Sequence, residues 1–304
     1  MILLAPFFDG AFAYGVEKLP LSSQHYQVGD SDLRFNSEVG FSLTEKTYET
    51  DLKDFEIFNY QHLSSLFGFD YGLSDEHSFS STLFFNHNGR LKKIYDDQSP
   101  LDNIHAVYSG IEKLEFSFKS RFSDFLSEGI DQSVVLKIQS GLKRAKDQNA
   151  SIGQTDFFAS YLFSFYISGR TELYGEIDIA YMGKKKKLRL DGETEISDTY
   201  AKTSLGLGLI KRLSPLFFFA DASFGMTTNY NIKSKSYSIT TDKGFYVRAQ
   251  IGLGYEISRF LIEFSHLVRT DVYNQILPDG QTPDPSLHYE WEASYTSLKL
   301  SWTY

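Results

Sequence analysis

Leu298-Lys299-Leu300-Ser301-Trp302-Thr303-Tyr304, the final seven residues, decide the fold. Apolar or aromatic side chains stand at 298, 300, 302 and 304, and Lys, Ser and Thr stand between them. A strict period of two describes a strand with one apolar and one polar face. The edge strand of a soluble β-sandwich alternates in the same way. The closing strand of a transmembrane barrel also does so, and there the outer face needs aromatic residues at the membrane interface. The rest of the chain separates the two.

The same alternation recurs along the whole length. Lys113-Leu-Glu-Phe-Ser-Phe-Lys119, Glu172-Leu-Tyr-Gly-Glu-Ile-Asp-Ile-Ala-Tyr181 and Tyr246-Val-Arg-Ala-Gln-Ile-Gly-Leu-Gly-Tyr255 all carry it, and no comparable window has a helical period. It predicts twelve strands, at 31–49, 54–71, 78–94, 107–123, 132–145, 154–168, 171–184, 198–212, 215–230, 243–257, 259–270 and 288–304. Soluble strands run about five or six residues, whereas a tilted membrane strand needs about nine to eleven for the hydrocarbon core alone. Short turns near 72–77, 124–131, 169–170, 213–214 and 258 alternate with longer polar connections at 95–106, 146–153, 185–197, 231–242 and 271–287. Short periplasmic turns on one side and long extracellular loops on the other are the layout of an outer-membrane barrel. All seven prolines fall in the N-terminal tail, in loops or at a strand start, where no sheet donor is needed.

Composition agrees. The 304 residues include 27 Phe, 20 Tyr and no Cys, with a net charge of -9. The lack of Cys rules out a disulfide framework and a thiolate metal site, and it fits export through an oxidising compartment. No run of about eighteen apolar residues exists, which excludes a transmembrane helix. A mean hydropathy of -0.29 is compatible with a barrel, because half of each strand faces a polar lumen. The acidic balance argues against nucleic acid. Ala11-Phe12-Ala13 has the small-x-small form of a secretory cleavage site, but no basic segment precedes it and Asp9 interrupts the apolar run. Residues 1–13 are therefore either the end of a signal peptide that starts upstream or an ordinary tail. Residues 14–30 are expected to form a periplasmic tail or partial plug, and 31–304 the barrel.

With twelve strands both chain ends lie on the short-turn side. Outward positions then include Phe67, Phe69, Tyr71, Phe116, Phe118, Phe163, Phe165, Ile177, Ile179, Leu205, Leu207, Ile251, Leu253, Phe260, Ile262 and Phe264. Tyr71, Phe79, Phe122, Tyr255, Phe260, Trp302 and Tyr304 gather near the short turns as an interfacial girdle. Charges on the lipid face would cost about 2–4 kcal/mol each near the midplane, so they are assigned to the lumen. The basic lumen residues are Lys113, Lys119, Arg121, Lys137 and Lys143, with Glu115 among them, and the acidic ones are Asp156, Glu172, Glu176 and Asp178. Arg248, Glu263, Arg269 and Lys299 line later strands. Such a lumen is either closed by ion pairs or crossed by a field between a basic and an acidic wall. Lys184-Lys-Lys-Lys187 opens a long outer loop, either as a solvated segment or as a surface for lipopolysaccharide phosphates.

Tyr71-Gly-Leu-Ser-Asp75, Ser109-Gly-Ile-Glu-Lys-Leu-Glu-Phe-Ser-Phe-Lys-Ser-Arg-Phe122 and Ile152-Gly-Gln-Thr-Asp156, in this order, resemble the outer-membrane transporter family linked to phenol-degradation pathways, and more loosely the FadL-like transporters of hydrophobic compounds. The resemblance covers roughly residues 65–182. Leu298, Leu300, Trp302 and Tyr304 resemble the C-terminal assembly signal of Gram-negative outer-membrane barrels. Where family members have Gly-Asp after the Ser-Gly-Leu-type opening, this chain has Glu112-Lys113. The resemblance implies a channel or transporter in the outer membrane of a Gram-negative bacterium, passing a small, hydrophobic or aromatic solute. The partners it implies are outer-membrane lipid, lipopolysaccharide and the barrel-assembly machinery. It supplies no catalytic residues and no cofactor.

Enzymatic barrels present a rival class. His87-Asn-Gly-Arg90 looks like part of the His-x-Ser-Asn-Gly-Arg site of outer-membrane phospholipase, yet Asn88 follows the histidine and no serine stands two residues on. Ser265-His266 looks similar to lipid A deacylases, which use His-x-Ser, but Val268 occupies the serine position. Glu176 and Asp178 share a face as an omptin-type protease would want, without an evident histidine partner. No His or acid spacing marks a metal site. The sequence thus reads as an all-β chain, a single antiparallel transmembrane β-barrel of about twelve strands. The alternatives are a structural or surface-interaction barrel with an ion-paired lumen, and a lipid-modifying enzyme.

Overall fold

The structure, a computed structural model, describes residues 28–49, 54–94, 106–123, 130–142, 154–188, 194–233, 235, 238–241, 243–276 and 288–304. Its strands are β1 (Leu33–Glu49), β2 (Asp54–Gly72), β3 (His77–Ile94), β4 (Ala106–Ser123), β5 (Ile130–Gly141), β6 (Thr155–Ser168), β7 (Thr171–Met182), β8 (Lys185–Leu188), β9 (Thr194–Ser197), β10 (Tyr200–Leu213), β11 (Leu216–Thr227), β12 (Tyr230–Lys233), β13 (Ser238–Thr241), β14 (Gly244–Ile257), β15 (Phe260–Ile276) and β16 (His288–Thr303). The four short strands β8, β9, β12 and β13 lie outside the barrel wall. The twelve long ones pair antiparallel around a closed ring. β16 returns to β1 in unbroken register from Arg34↔Thr303 to Glu49↔His288. At the rim the Tyr304 amide donates to the Leu33 carbonyl at 2.7 Å, and the Leu33 amide donates back at 3.3 Å. Closure leaves no edge in the wall, which a sheet in lipid requires.

Tight turns at Leu73–Glu76, Gly169–Arg170, Ser214–Pro215 and Ser258–Arg259 join the strands on the side of the chain ends. The expected turn at 124–131 lies largely outside the described residues. Two connections expected to be plain loops, 185–197 and 231–242, contain strand. β8 pairs with β9, β9 with β12, β12 with β13, and β13 with the upper end of β15 through Thr240↔Ile276. These segments are too short and polar for an alternating pattern to stand out; pairing with each other, rather than an individual pattern, holds them extended. Lys185–Leu188 is therefore a strand at the edge of this outer sheet, not the start of an irregular loop. β15 runs six residues beyond the expected end at 270, because β16 pairs with it as far as Asn274↔His288. The fifth strand is Ile130–Gly141 rather than 132–145.

The alternation sorts side chains as the period demands. Phe67 is 52% exposed, Leu205 53% and Ile251 62%, all on the outer face. Soluble surfaces do not carry so continuous an apolar belt, so the sandwich reading fails. On β2 the outward run from Leu63 to Tyr71 spans about 20 Å of membrane normal at a tilt of ~40°. Phe163 faces outward but is half-buried, because its ring lies across Gly175. At the lower interface Trp302 stacks on Phe35 at 6.3 Å and on Phe260 at 6.0 Å, with Tyr304 edge-on at 6.0 Å. The terminal strand thus contributes the centre of an aromatic cluster that bridges β1, β16 and β15.

Changing Trp302 and Tyr304 together to Ser removes that centre. The expected outcome is a severalfold loss of the fast-migrating, heat-modifiable form on unboiled gels of outer-membrane extracts. An unchanged yield would show that the cluster is dispensable for assembly.

Candidate functional site

The inner face encloses a central cavity of about 650 Å³. Seven cationic side chains line it, Arg34, Lys119, Lys137, Lys202, Arg248, Arg269 and Lys299, against three acids, Asp70, Glu176 and Asp178. The cations come from β1, β4, β5, β10, β14, β15 and β16, so they surround the cavity rather than form one wall. A field between a basic and an acidic wall is therefore not the arrangement. Glu115, Asp221 and Asp271 reach three of the seven cations from beside the cavity and offset their charge.

Several of these cations are held by carboxylates. Arg34 meets Asp70 at 2.6 Å, and the Asn36 amide donates to the same carboxylate at 2.7 Å. Arg248 bridges Glu176 at 3.2 Å and Asp221 at 3.3 Å, tying β14 to β7 and β11. Arg269 grips Asp271 at 2.8 Å and lies 4.4 Å from the centre of the Tyr246 ring. Lys137 reaches Glu115 at 3.3 Å. Lys202 differs: its ammonium lies over the rings of Tyr200 and Tyr246, at 5.6 and 5.9 Å, and among the described residues it has no ion-pair partner.

Of the residues expected to line the lumen, Lys119, Lys137, Glu176 and Asp178 border the cavity. Arg121 instead turns to Asp131, 2.5 Å away, nearer the lower rim. Lys113 rests over the Phe84 ring at 4.4 Å and donates to Gln139 at 3.5 Å, midway along β4 and opposite the upper end of β5. Asp156 accepts from the Gly183 amide at 2.8 Å and from Gln154 at 2.7 Å, a structural role at the strand end. Glu172 is 1% exposed, below the cavity. Lys143 lies outside the described residues. Lys202 and Arg34 were missed, although both stand in the polar phase of strands that were recognised; the signal was available in the alternation itself.

Below the cavity the lumen is packed. Tyr174, Ile210, Phe217 and Leu261 form a buried cluster on the inner face, with Phe219 against it. Phe217 fits because Gly254 faces it across the strand pair; a Cβ there would lie 2.0 Å from the ring. Opposite, Val28 is 2% exposed and borders the cavity. The chain turns back at Gly29–Asp32, with the Ser31 amide donating to the Gly72 carbonyl at 3.0 Å. Any side chain at Gly72 would meet the Gly29 carbonyl oxygen, 1.8 Å from its Cβ.

On the outer face, the His87 Nε2 lies 2.7 Å from the Ser65 hydroxyl, so a hydroxyl is supplied by the neighbouring strand rather than along β3. Ser65 is only 7% exposed, and among the described residues no third group orients His87. His266 repeats the arrangement with Thr296, 2.8 Å away. The same histidine–hydroxyl pairing with either Ser or Thr, at two places on the lipid-facing wall, satisfies a ring nitrogen near the polar boundary of the apolar belt.

No family model and no curated protein matches this chain. Among solved structures it is similar to an outer-membrane channel from Pseudomonas putida F1, with a TM-score of 0.55 over 92% of this chain and 98% of that one, at 10% identity. The chain shares the closed antiparallel β-barrel fold with that structure. The Pseudomonas putida toluene transporter TodX matches 90% of each chain at 11% identity with a TM-score of 0.39. The Escherichia coli outer-membrane protease OmpT matches 90% of this chain and 97% of its own at 8% identity with a TM-score of 0.36. At these identities the likeness concerns the barrel and nothing finer.

Arg248 is the keystone of the upper lumen. Replacing it with Ala leaves Glu176 and Asp221 facing each other without their cation, and breaking a buried pair this way costs up to about 3–5 kcal/mol. The temperature at which the barrel loses its fast gel migration is expected to fall by many degrees, and Arg248→Lys is expected to recover part of the loss. An unchanged transition would mean that lumen water already screens the pair.

Proposed function

We propose that this protein is a channel of the Gram-negative outer membrane through which a small solute passes. The observation that carries the reading is the cavity of about 650 Å³ inside a wall that is apolar outside and cation-rich within. Twelve strands fall between the side-chain-filled eight-stranded barrels and the open sixteen-stranded porins, so a narrow path is the natural product. Cations around a low-dielectric passage focus the field and draw anions. Solute entering from the outer side meets the cavity first and the packed cluster around Phe217 next, so passage requires those side chains or the Val28–Asp32 turn to give way. The N-terminal segment then acts as a partial plug. Export through a signal peptide, insertion by the barrel-assembly machinery through the 298–304 strand, and contact of the Lys184–Lys187 edge with lipopolysaccharide phosphates complete the reading.

Conductance of the purified chain in planar bilayers tests it. Under a salt gradient the reversal potential is expected to report anion preference. Changing Lys119, Lys137 and Lys202 together to Gln should shift it toward cations while heat-modifiable migration is kept, since lumen positions tune selectivity more than they tune folding. A reversal potential that does not move would remove the cavity from the path. The packed floor and the paired arginines favour a second reading, a structural barrel with a closed lumen. A silent wild type that conducts only after charge removal would establish it.

The protein is further proposed not to be an enzyme. Ser65 is only 7% exposed, and a nucleophile must be reachable by substrate. Wild type and Ser65→Ala are expected to be equally inert toward labelled phospholipid in mixed micelles. Turnover by the wild type that disappears in Ser65→Ala would overturn this.

A further inference from the structure

Resting on the channel reading, we propose that the cavity is a binding site for a small organic monoanion with a compact apolar body, anchored through its carboxylate by Lys202. Cross-strand register puts Lys202, Ala180, Phe158 and Lys137 side by side on β10, β7, β6 and β5. The two lysines are three strand spacings apart, about 14 Å between Cα atoms. Between them the inner wall is apolar, with Leu162 and Met182 adding to the patch of Ala180 and Phe158 at the cavity's edge.

This pattern fits neither a bare inorganic ion nor a neutral hydrocarbon. An inorganic anion over Phe158 and Met182 would shed water and gain nothing in its place. A hydrocarbon would strip water from Lys202 without supplying a charge, whereas a carboxylate forms a charge-assisted hydrogen bond with it. Lys202 suits the anchor because no carboxylate in the described structure already holds it, unlike Lys137, which reaches Glu115 at 3.3 Å. Tyr200 and Tyr246 beneath its ammonium form a platform, and the neighbouring Arg269, over the same Tyr246 ring at 4.4 Å, is already held by Asp271, which leaves Lys202 as the cation that can take a carboxylate. Asp178 lies two residues from Ala180 along β7 and accepts from the Ser204 hydroxyl at 2.9 Å. Its charge opposes a second negative group beside the apolar patch, which points to a monoanion. The volume is within the range of ordinary small-molecule sites, about 300–1,000 Å³.

Equilibrium dialysis of the detergent-solubilised full chain tests this without requiring current. The probes are benzoate, benzyl alcohol as its uncharged counterpart, and acetate as the anion without the body. Benzoate is expected to bind at least tenfold more tightly than either. Lys202→Gln should abolish the preference over benzyl alcohol, and Phe158→Ser the preference over acetate, each with heat-modifiable migration intact. Equal binding of benzoate and benzyl alcohol by the wild type, or full benzoate affinity in folded Lys202→Gln, would overturn the proposal. Benzoate binding by a protein that never conducts would sink the channel reading and leave the site standing. Conduction without benzoate binding would do the reverse.

Discussion

Everything in this molecule depends on the hydrogen bonds between its first and last strands. A sheet in hydrocarbon has no water to satisfy its edges, so a twelve-stranded wall exists there only if β16 returns to β1. Register from Arg34↔Thr303 to Glu49↔His288 accomplishes this with no slip, and the carbonyls and amides of Leu33 and Tyr304 finish the rim. Because side chains alternate, closing the ring in this register also decides what faces lipid and what faces the lumen; a shift of one residue would exchange Phe35 and Trp302 for Arg34 and Thr303.

Segregation then sets the chemistry of the interior. Charges excluded from the lipid face crowd into a narrow lumen, where they must pair or find water. The arginines pair: Arg34 with Asp70, Arg248 with Glu176 and Asp221, and Arg269 with Asp271. The Arg248–Glu176 pair braces β14 against β7, strands that are not neighbours in the ring, while the others act between adjacent strands or within one. Lys202 instead rests on two tyrosine rings with no ion pair among the described residues, which leaves its ammonium able to meet a solute. The lower lumen solves the same problem differently, by filling with Phe217, Ile210 and Leu261, so the cavity has a floor.

The wall was legible in the sequence because a membrane strand repeats one simple rule over a dozen or more residues. Strands such as Thr171–Met182 and Gly244–Ile257 announce both their type and their facing. The short outer strands β8, β9, β12 and β13 were not legible, since four residues are too few to establish a period. The site was readable only in part. Alternation tells that Lys119, Arg121 and Asp156 face inward, but not that Arg121 is taken up by Asp131 or that Asp156 caps the Gly183 amide. Those outcomes depend on which residues the register brings opposite, as does the Ser65 hydroxyl beside His87, which comes from another strand. Alternation puts Lys202 in the inward phase of its strand, but that no ion pair holds it among the described residues is decided by register and not by the pattern.

The chain contains no cysteine, which allows the path of the solute to be probed directly. Single cysteines at Ser204, facing the lumen beside Lys202, and at Leu205, facing lipid, would be treated with a charged thiol reagent during bilayer recording. Modification of Ser204→Cys is expected to lower the current while Leu205→Cys is unaffected. Current that persists unchanged through a fully modified Ser204→Cys would contradict passage through this lumen.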